Sequence, residues 1–166
     1  HLTTRRQRQM CIRDRGIIWN LLSEFAKSES YFRQALALDP GNTSTLYNLA
    51  NCHFNAEDFD KAINVCQNII TLDHSFYYAY NRIGLCHIRL ENEEQAIDFF
   101  KTSIKIKPDY LEGLTNYGFA LQKLKNYSLA AVQFEKVLSS DSGNVEAFVN
   151  LTKVYFEDGR LSLIHI

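Results

Sequence analysis

The 166 residues of this chain repeat their pattern of large and small side chains every 34 positions. The repeated positions form three sets: Phe32, Cys66, Phe100 and Phe134; Ala62, Ala96 and Ala130; and Leu49, Ile83, Tyr117 and Leu151. A fixed period between about 20 and 50 residues is typical of chains that stack similar supersecondary units. Because one such unit cannot bury its apolar face alone, the chain is expected to form a continuous array of units.

Within each period the apolar residues have the spacing of an α-helix. Leu46, Leu49, Ala50 and His53 fall at i, i+3, i+4 and i+7, which lie on one helix face. A second apolar stretch follows in each period, after a short polar turn such as residues 56–58. We therefore predict an all-α fold with three complete helix pairs, at residues 43–56 and 59–72, 77–90 and 93–106, and 111–124 and 127–140.

The period and the residue types resemble the tetratricopeptide repeat, which combines bulky, small and aromatic positions with a proline near its end. Pro40 and Pro108 occupy the proline position two periods apart, and Gly84 and Gly118 occupy a small position of the first helix. The resemblance implies a right-handed α-solenoid. Its complete repeats are residues 43–76, 77–110 and 111–144, and partial repeats are residues 16–42 and 145–160.

The two ends of the chain are predicted not to belong to the repeat protein. Residues 161–166 read Leu-Ser-Leu-Ile-His-Ile, and a DNA sequence that encodes them has a reverse complement that encodes residues 10–15, Met-Cys-Ile-Arg-Asp-Arg. Selection on a protein has no reason to create this inverse relation, and the DNA resembles a transposase-end adapter used in preparing sequencing libraries. We therefore expect residues 1–15 and 161–166 to be adapter-derived, and residues 16–160 to be a fragment of a longer protein.

This exclusion changes the charge on which partner predictions depend. The N-terminal segment has five arginines and would otherwise suggest a basic arm that neutralises nucleic-acid phosphates. The whole chain has 18 Lys and Arg against 19 Asp and Glu, and removing those arginines and Asp14 leaves 13 against 18, a net charge of −5. We predict no nucleic-acid partner. No membrane insertion is expected either, because no apolar run approaches the roughly 18 residues that a spanning helix needs.

No pattern in the repeat segment indicates catalysis or a cofactor. A glycine-rich phosphate loop, an H-E-x-x-H pair and a G-x-S-x-G turn are all absent from the sequence. Cys52-His53 and Cys86-His87 are candidate zinc ligands, but adjacent helix residues point about 100° apart, and core packing is the better interpretation. Together with Cys66 these cysteines form an odd, scattered set, which favours free buried thiols. We predict no enzyme activity, no cofactor and no metal.

By the resemblance, the first helix of each repeat lines a concave groove, where family members bind peptides or protein partners. Aromatic and amide side chains along one wall indicate a binding surface more than a solvated face. The residues predicted to bind a protein or extended peptide are Tyr47, Asn48, Asn51, Tyr78, Asn81, Arg82, Leu85, Arg89, Asn116, Phe119, Lys123, Asn150 and Lys153.

One set of these residues has two interpretations. Asn48, Asn116 and Asn150 occupy the same repeat position, and Arg82 takes that position in the repeat between. A side-chain amide offers a donor and an acceptor, so such a ladder can pair with the backbone of an extended ligand, as in the similar asparagine ladder of O-linked N-acetylglucosamine transferases. Alternatively, asparagine is simply the common family residue there and supports a neighbouring helix.

A carboxylate clamp of the kind that tetratricopeptide co-chaperones use is not predicted. In one alignment Ile17 and Tyr78 stand where the clamp has asparagine and lysine, and in the other Tyr47 and Glu112 replace required residues. A carboxylate at Glu112 would repel the carboxylate of the ligand.

Three functions are compatible with this reading of the sequence. The first is a free-standing interaction scaffold that binds a peptide or protein in the groove. The second is the substrate-recruiting region of a larger enzyme, such as a glycosyltransferase. The third is a structural subunit that docks permanently in an assembly.

Overall fold

The computed structural model describes residues 2–159, and side chains from Thr4 onward. Within this range no strand occurs. The helices are α1 (Leu2–Leu21), α2 (Phe25–Leu38), α3 (Thr43–Asn55), α4 (Phe59–Leu72), α5 (Tyr77–Arg89), α6 (Glu93–Ile106), α7 (Leu111–Lys123), α8 (Tyr127–Ser140) and α9 (Val145–Glu157). This architecture confirms the predicted all-α repeat fold.

Helices α3 to α8 correspond to the three predicted pairs. Helices α4, α6 and α8 have the predicted bounds, whereas α3, α5 and α7 end one residue earlier than predicted. At two of those ends Ala56 and Leu124 are C-caps, whose N–H groups still donate to carbonyls of the last turn. Because a cap residue is only half in the helix, a sequence pattern does not distinguish it from the last helical residue.

The turn between the two helices of a repeat has the same backbone conformation each time. The left-handed residues lie at 34-residue intervals and are Ser23, Glu57, Glu91 and Lys125, with φ of 59° to 61°, followed by Gly159 with φ of 70°. For a residue with a Cβ atom this conformation costs roughly 1–2 kcal/mol. Hydrogen bonds that close the turn offset that cost, as where the Asp58 N–H donates to the His53 carbonyl at 2.9 Å.

The chain divides into two compact units, His1–Cys86 (unit 1) and His87–Ile166 (unit 2). In unit 1, α2 packs against α1 and α3, and α3 packs against α1 and α4. One core cluster of this unit consists of Phe32, Leu49 and Cys52. Gly16 lies so close to Phe32 that an added Cβ atom would be 2.6 Å from its ring. Burial of these aromatic and aliphatic side chains is the main source of stability in such an array.

The helices of unit 2 pack in the same way as those of unit 1. Helix α7 packs against α6, α8 and α9, and α8 packs against α9. Leu114, Val137 and Ala147 form a buried cluster. Gly118 approaches Phe134 as Gly16 approaches Phe32, since an added Cβ atom would lie 2.8 Å from that ring. The small residues of the first helices therefore make room for the aromatic residues of the second helices.

The predicted adapter-derived segment at the N-terminus forms part of α1. The Arg5 Nη2 donates to the Leu38 carbonyl at 2.7 Å, and the Gln9 Nε2 donates to the Asp39 Oδ2 at 3.4 Å. Residues 161–166 lie outside the described residues. The origin of both segments in adapter DNA stays a prediction, since folding into a helix does not depend on the origin of a sequence.

The thiols of the repeat segment are free and buried, as predicted. Cys52, Cys66 and Cys86 are each at most 1% exposed and form no disulfide. Burial raises the pKa of Cys66 to about 12, and burial also raises the pKa of Cys86 to about 12. A thiol with such a pKa has almost no reactive thiolate near neutral pH. These groups therefore act as small apolar side chains of the core.

The two histidines beside these cysteines pack within the repeats. His53 is 4% exposed, and the His87 ring stacks on Phe99 with centroids 5.4 Å apart. Burial lowers the pKa of both imidazoles, because the charged form is penalised away from water. Among the described residues no group of three or more His, Cys, Asp or Glu is placed to hold a metal ion. Within residues 2–159, no helix combines the length and apolar character that crossing a membrane requires.

Candidate functional site

In unit 1, aromatic side chains of α3 and the start of α5 form a contiguous surface cluster. The rings of Tyr47, Phe76 and Tyr78 lie 5.6 to 5.8 Å from one another, centroid to centroid. Tyr78 is 39% exposed, so the cluster reaches solvent. Phe54 lies two turns after Tyr47 on the same face of α3 and also remains half-buried. We call Tyr47, Phe54, Phe76, Tyr78 and Arg82 the arginine–aromatic cluster.

Arg82 of α5 lies against two rings of this cluster. Its Cζ atom is 4.6 Å from the centroid of Phe54 and 5.7 Å from that of Tyr47. Its Nη2 donates to the Tyr47 Oη at 3.4 Å. The Nε atom is buried and has no hydrogen-bond partner among the described residues. The guanidinium is therefore fixed by aromatic faces and one weak hydrogen bond rather than by a carboxylate.

The amides predicted for unit 1 differ in accessibility. Asn48 and Asn51 are half-buried, and the Asn51 Oδ1 is a buried atom with no hydrogen-bond partner in the part of the chain that the structure describes. Asn81 is fully buried, at 0% exposure, so it does not belong to the accessible surface on which it was predicted. Leu85 is half-buried on α5.

In unit 2 the accessible side chains of α7 are mainly polar. Asn116 is half-buried, while Phe119 is 40% exposed and Lys123 is also exposed. The Lys123 Nζ lies 3.3 Å from the Glu93 Oε1 and 5.7 Å from the Phe119 ring centroid. A hydrogen bond from its own backbone N–H, and then the ammonium of Lys123, lower the pKa of Glu93. Arg89, at the end of α5, is exposed.

A cavity of about 380 Å³ lies beside Asn116 in unit 2. It is lined by Leu111, Glu112, Thr115, Asn116, Asn144 and Glu146. Asn144 is the N-cap of α9, and its Oδ1 accepts a hydrogen bond from the Ala147 N–H at 2.9 Å. The cavity is polar and carries two carboxylates.

Helix α9 continues the accessible surface of unit 2. Asn150 is half-buried and Lys153 is exposed. Val149 is 43% exposed and Phe156 is 68% exposed. Exposed large apolar residues next to amides are a common feature of surfaces that bind other proteins.

The structure adds residues that the sequence did not indicate. Phe76 precedes α5 and joins the aromatic cluster. Because it lies outside the helices, the helical spacing of the sequence could not predict the direction of its side chain. Asn144 and Glu146 line the cavity in unit 2. Glu146 stands one 34-residue period after Glu112, so the repeat could have identified it.

Two models of the tetratricopeptide repeat family match the chain. One matches residues 23–80 and the other matches residues 77–110, so together they span residues 23–110. The first match includes the arginine–aromatic cluster up to Tyr78, and the second includes Arg82.

Relatives and solved structures agree with this match. The tetratricopeptide repeat domain-containing protein PYG7, chloroplastic, of Arabidopsis thaliana is 32% identical over 72 residues, which are 43% of this chain and 24% of that protein. The crystal structure of MamA protein is similar with a TM-score of 0.78 at 20% identity, over 93% of this chain and 84% of that one. The first tetratricopeptide domain of Spaghetti (RPAP3), bound to the HSP90 peptide SRMEEVD, is similar with a TM-score of 0.65 at 20% identity, over 71% of this chain and 94% of that one.

The chain covers only part of its curated relatives. It spans between 17% and 25% of the length of three of them.

Proposed function

Because the chain belongs to the tetratricopeptide repeat family, we propose that it is a protein-interaction scaffold whose first helices bind an extended peptide or a protein partner. The proposed binding residues are the accessible ones of α3, α5, α7 and α9. The peptide complex of the RPAP3 domain supports this proposal, since it has a similar fold. The proposal concerns this repeat segment and assigns no catalytic role to it.

The observation that carries the proposal is the presence of accessible amides and solvent-exposed aromatic rings on these helices. The amides of Asn48 and Asn150 make no side-chain hydrogen bond to any other described residue, although both are partly shielded from water. Tyr78, Phe119 and Phe156 expose between 39% and 68% of their surface. A partner would satisfy the amides and cover the rings, and both changes favour binding.

For unit 2 we propose that Asn116 and Asn150 pair with the backbone of an extended ligand. An amide can donate to a carbonyl and accept from an N–H, and neither contact depends on the ligand's side chains. The two residues occupy equivalent positions on α7 and α9, which pack against each other. Asn48 has the equivalent position on α3 of unit 1.

Replacing both Asn116 and Asn150 with alanine should weaken several unrelated peptides by similar factors. Each lost hydrogen bond is worth about 0.5–1.5 kcal/mol, so the affinity should fall about 5- to 150-fold. The ligands would be octapeptides selected on an array and titrated by fluorescence polarisation. The matched control replaces Asn64 and Asn68, two exposed amides on the second helix α4, and should bind like the parent.

Two other outcomes of this experiment would count against the proposal. If the double variant binds every selected peptide as tightly as the parent, Asn116 and Asn150 do not contact the ligand backbone. If it unfolds, the asparagines support neighbouring helices instead. A subunit that docks permanently would bind no peptide on the array and would purify with one partner at fixed stoichiometry.

A further inference from the structure

Arg82 differs from the other cationic residues of the repeat segment in unit 1. Residues 16–86 contain four of them, and the other three lie within 3.3 Å of a carboxylate: Lys27 near Glu24, Arg33 near Glu29 and Lys61 near Asp58. The Arg82 guanidinium has no carboxylate partner among the described residues, and it contacts Tyr47 and Phe54 instead. Arg82 is thus the cation of residues 16–86 that has no ion pair among the described residues.

The position of Arg82 raises the free-energy cost of having no anionic partner. The residue is half-buried, and its Nε is fully shielded from solvent without a hydrogen bond. Aromatic faces compensate a cation only in part, and a shielded guanidinium donor loses its hydration without replacement. An anionic group that a partner delivers to the Nη end of the guanidinium would supply the counter-charge and accept from its terminal N–H groups. Because the guanidinium is planar and forked, it matches a carboxylate in a bidentate geometry.

The rings beside Arg82 indicate which kind of ligand residue would lie next to the anionic group. Tyr47, Phe76 and Tyr78 contact one another at centroid distances of 5.6 to 5.8 Å, too close to enclose a cation between them. They instead present a continuous apolar and partly exposed surface, which suits an aliphatic or aromatic side chain.

We propose that the arginine–aromatic cluster is a subsite for an internal Asp or Glu side chain of an extended partner segment, with an apolar residue next to that acid. This inference rests on the proposed function, and it specifies the ligand chemistry of the unit 1 surface. A chain end with an acidic side chain would bring a second negative charge, and the cluster has no second cation to compensate it. Arg82 is the one unpaired cation that residues 16–86 offer. The repeat segment has a net charge of −5 and repels other acidic segments, so Arg82 would act as the selective anchor.

The test uses the full 166-residue chain and an array of octapeptides with acetylated N-termini and amidated C-termini. The array should select peptides that carry Asp or Glu beside an aromatic or aliphatic residue. For the best of them, changing the acid to its amide should lower the affinity about 10- to 100-fold, as expected for a hydrogen bond to a charged group. The same change in the peptide should have little effect on binding to Arg82→Gln. That variant lacks the guanidinium with which the peptide's acid would interact.

Arg33→Gln is the matched control, since Arg33 is an exposed arginine of unit 1 that pairs with Glu29 outside the cluster. It should keep the parent's preference for acidic peptides. If Arg82→Gln does not fold, the amide version of the peptide tested on the parent still decides, and Arg82→Lys should retain part of the preference.

Two results would overturn the inference. The selected peptides could lack an acid, or the acid-to-amide change could weaken the parent and Arg82→Gln equally. In each of these cases peptides still bind, so the proposed scaffold function survives. If no peptide of the array binds, that result would contradict both the scaffold function and this inference.

Discussion

Truncation of Phe134 to alanine is expected to lower the free energy of unfolding by about 3–5 kcal/mol. The side chain is fully buried on α8, and Gly118 of α7 fits closely against its ring. Removing the ring would leave a cavity that these helices cannot fill without moving. Chemical denaturation of the parent and the variant at 25 °C measures the loss.

The control for this prediction is Leu129→Ala on the same helix. Leu129 is 53% exposed, so its truncation should change the unfolding free energy by less than about 0.5 kcal/mol. If Phe134→Ala unfolds within about 1 kcal/mol of the parent, the ring does not hold α7 and α8 together as described.

A methyl group at Gly118 should also destabilise the protein, by about 1–3 kcal/mol. The new Cβ atom would lie 2.8 Å from two carbons of the Phe134 ring, so the ring or the helix must shift. Another repeat of the same chain has a pair of residues that would avoid this clash. The repeat at residues 43–76 has Ala50 and Cys66 at the same two positions, and both are fully buried.

We therefore expect Phe134→Cys to relieve the clash in a Gly118→Ala background. The double variant should be more stable than the sum of the two single effects by about 1 kcal/mol or more, which a double-mutant cycle from chemical denaturation measures. Effects that add within about 0.5 kcal/mol would mean that residue sizes at these two positions are not matched to each other.

The repeat pattern was sufficient to predict the helices. Their apolar faces recur every 34 residues, and that spacing depends on which side chains the helices bury, so the pattern is visible in the sequence. Buried positions such as Phe134 and Ala130 follow from the same rule. The thiols of Cys52, Cys66 and Cys86 are also buried and free as predicted.

The backbone of the turns could not be predicted in the same way. Left-handed residues are usually glycine or asparagine, but Glu57 and Lys125 adopt this conformation because the helices on either side fix the path of the chain. No local signal marks such a position when tertiary packing imposes it.

The candidate site was only partly predictable. Asn81 stands at an apparently accessible repeat position, yet it is fully buried. Within residues 4–159 no carboxylate pairs with Arg82, and this depends on which side chains the fold brings near it. The repeat pattern of the family indicates on which helix face a residue lies, but it does not indicate which side chains that residue contacts.

Hydrogen–deuterium exchange with and without a bound peptide tests the central claim most directly. The measurement would use the tightest octapeptide from the array at saturating concentration, and it would compare the exchange of every helix in the two states. We predict slower exchange in the first helices of the bound unit, namely α3 and α5 in unit 1 or α7 and α9 in unit 2. Protection confined to the second helices α4, α6 and α8 would contradict the proposal that the first helices bind the partner.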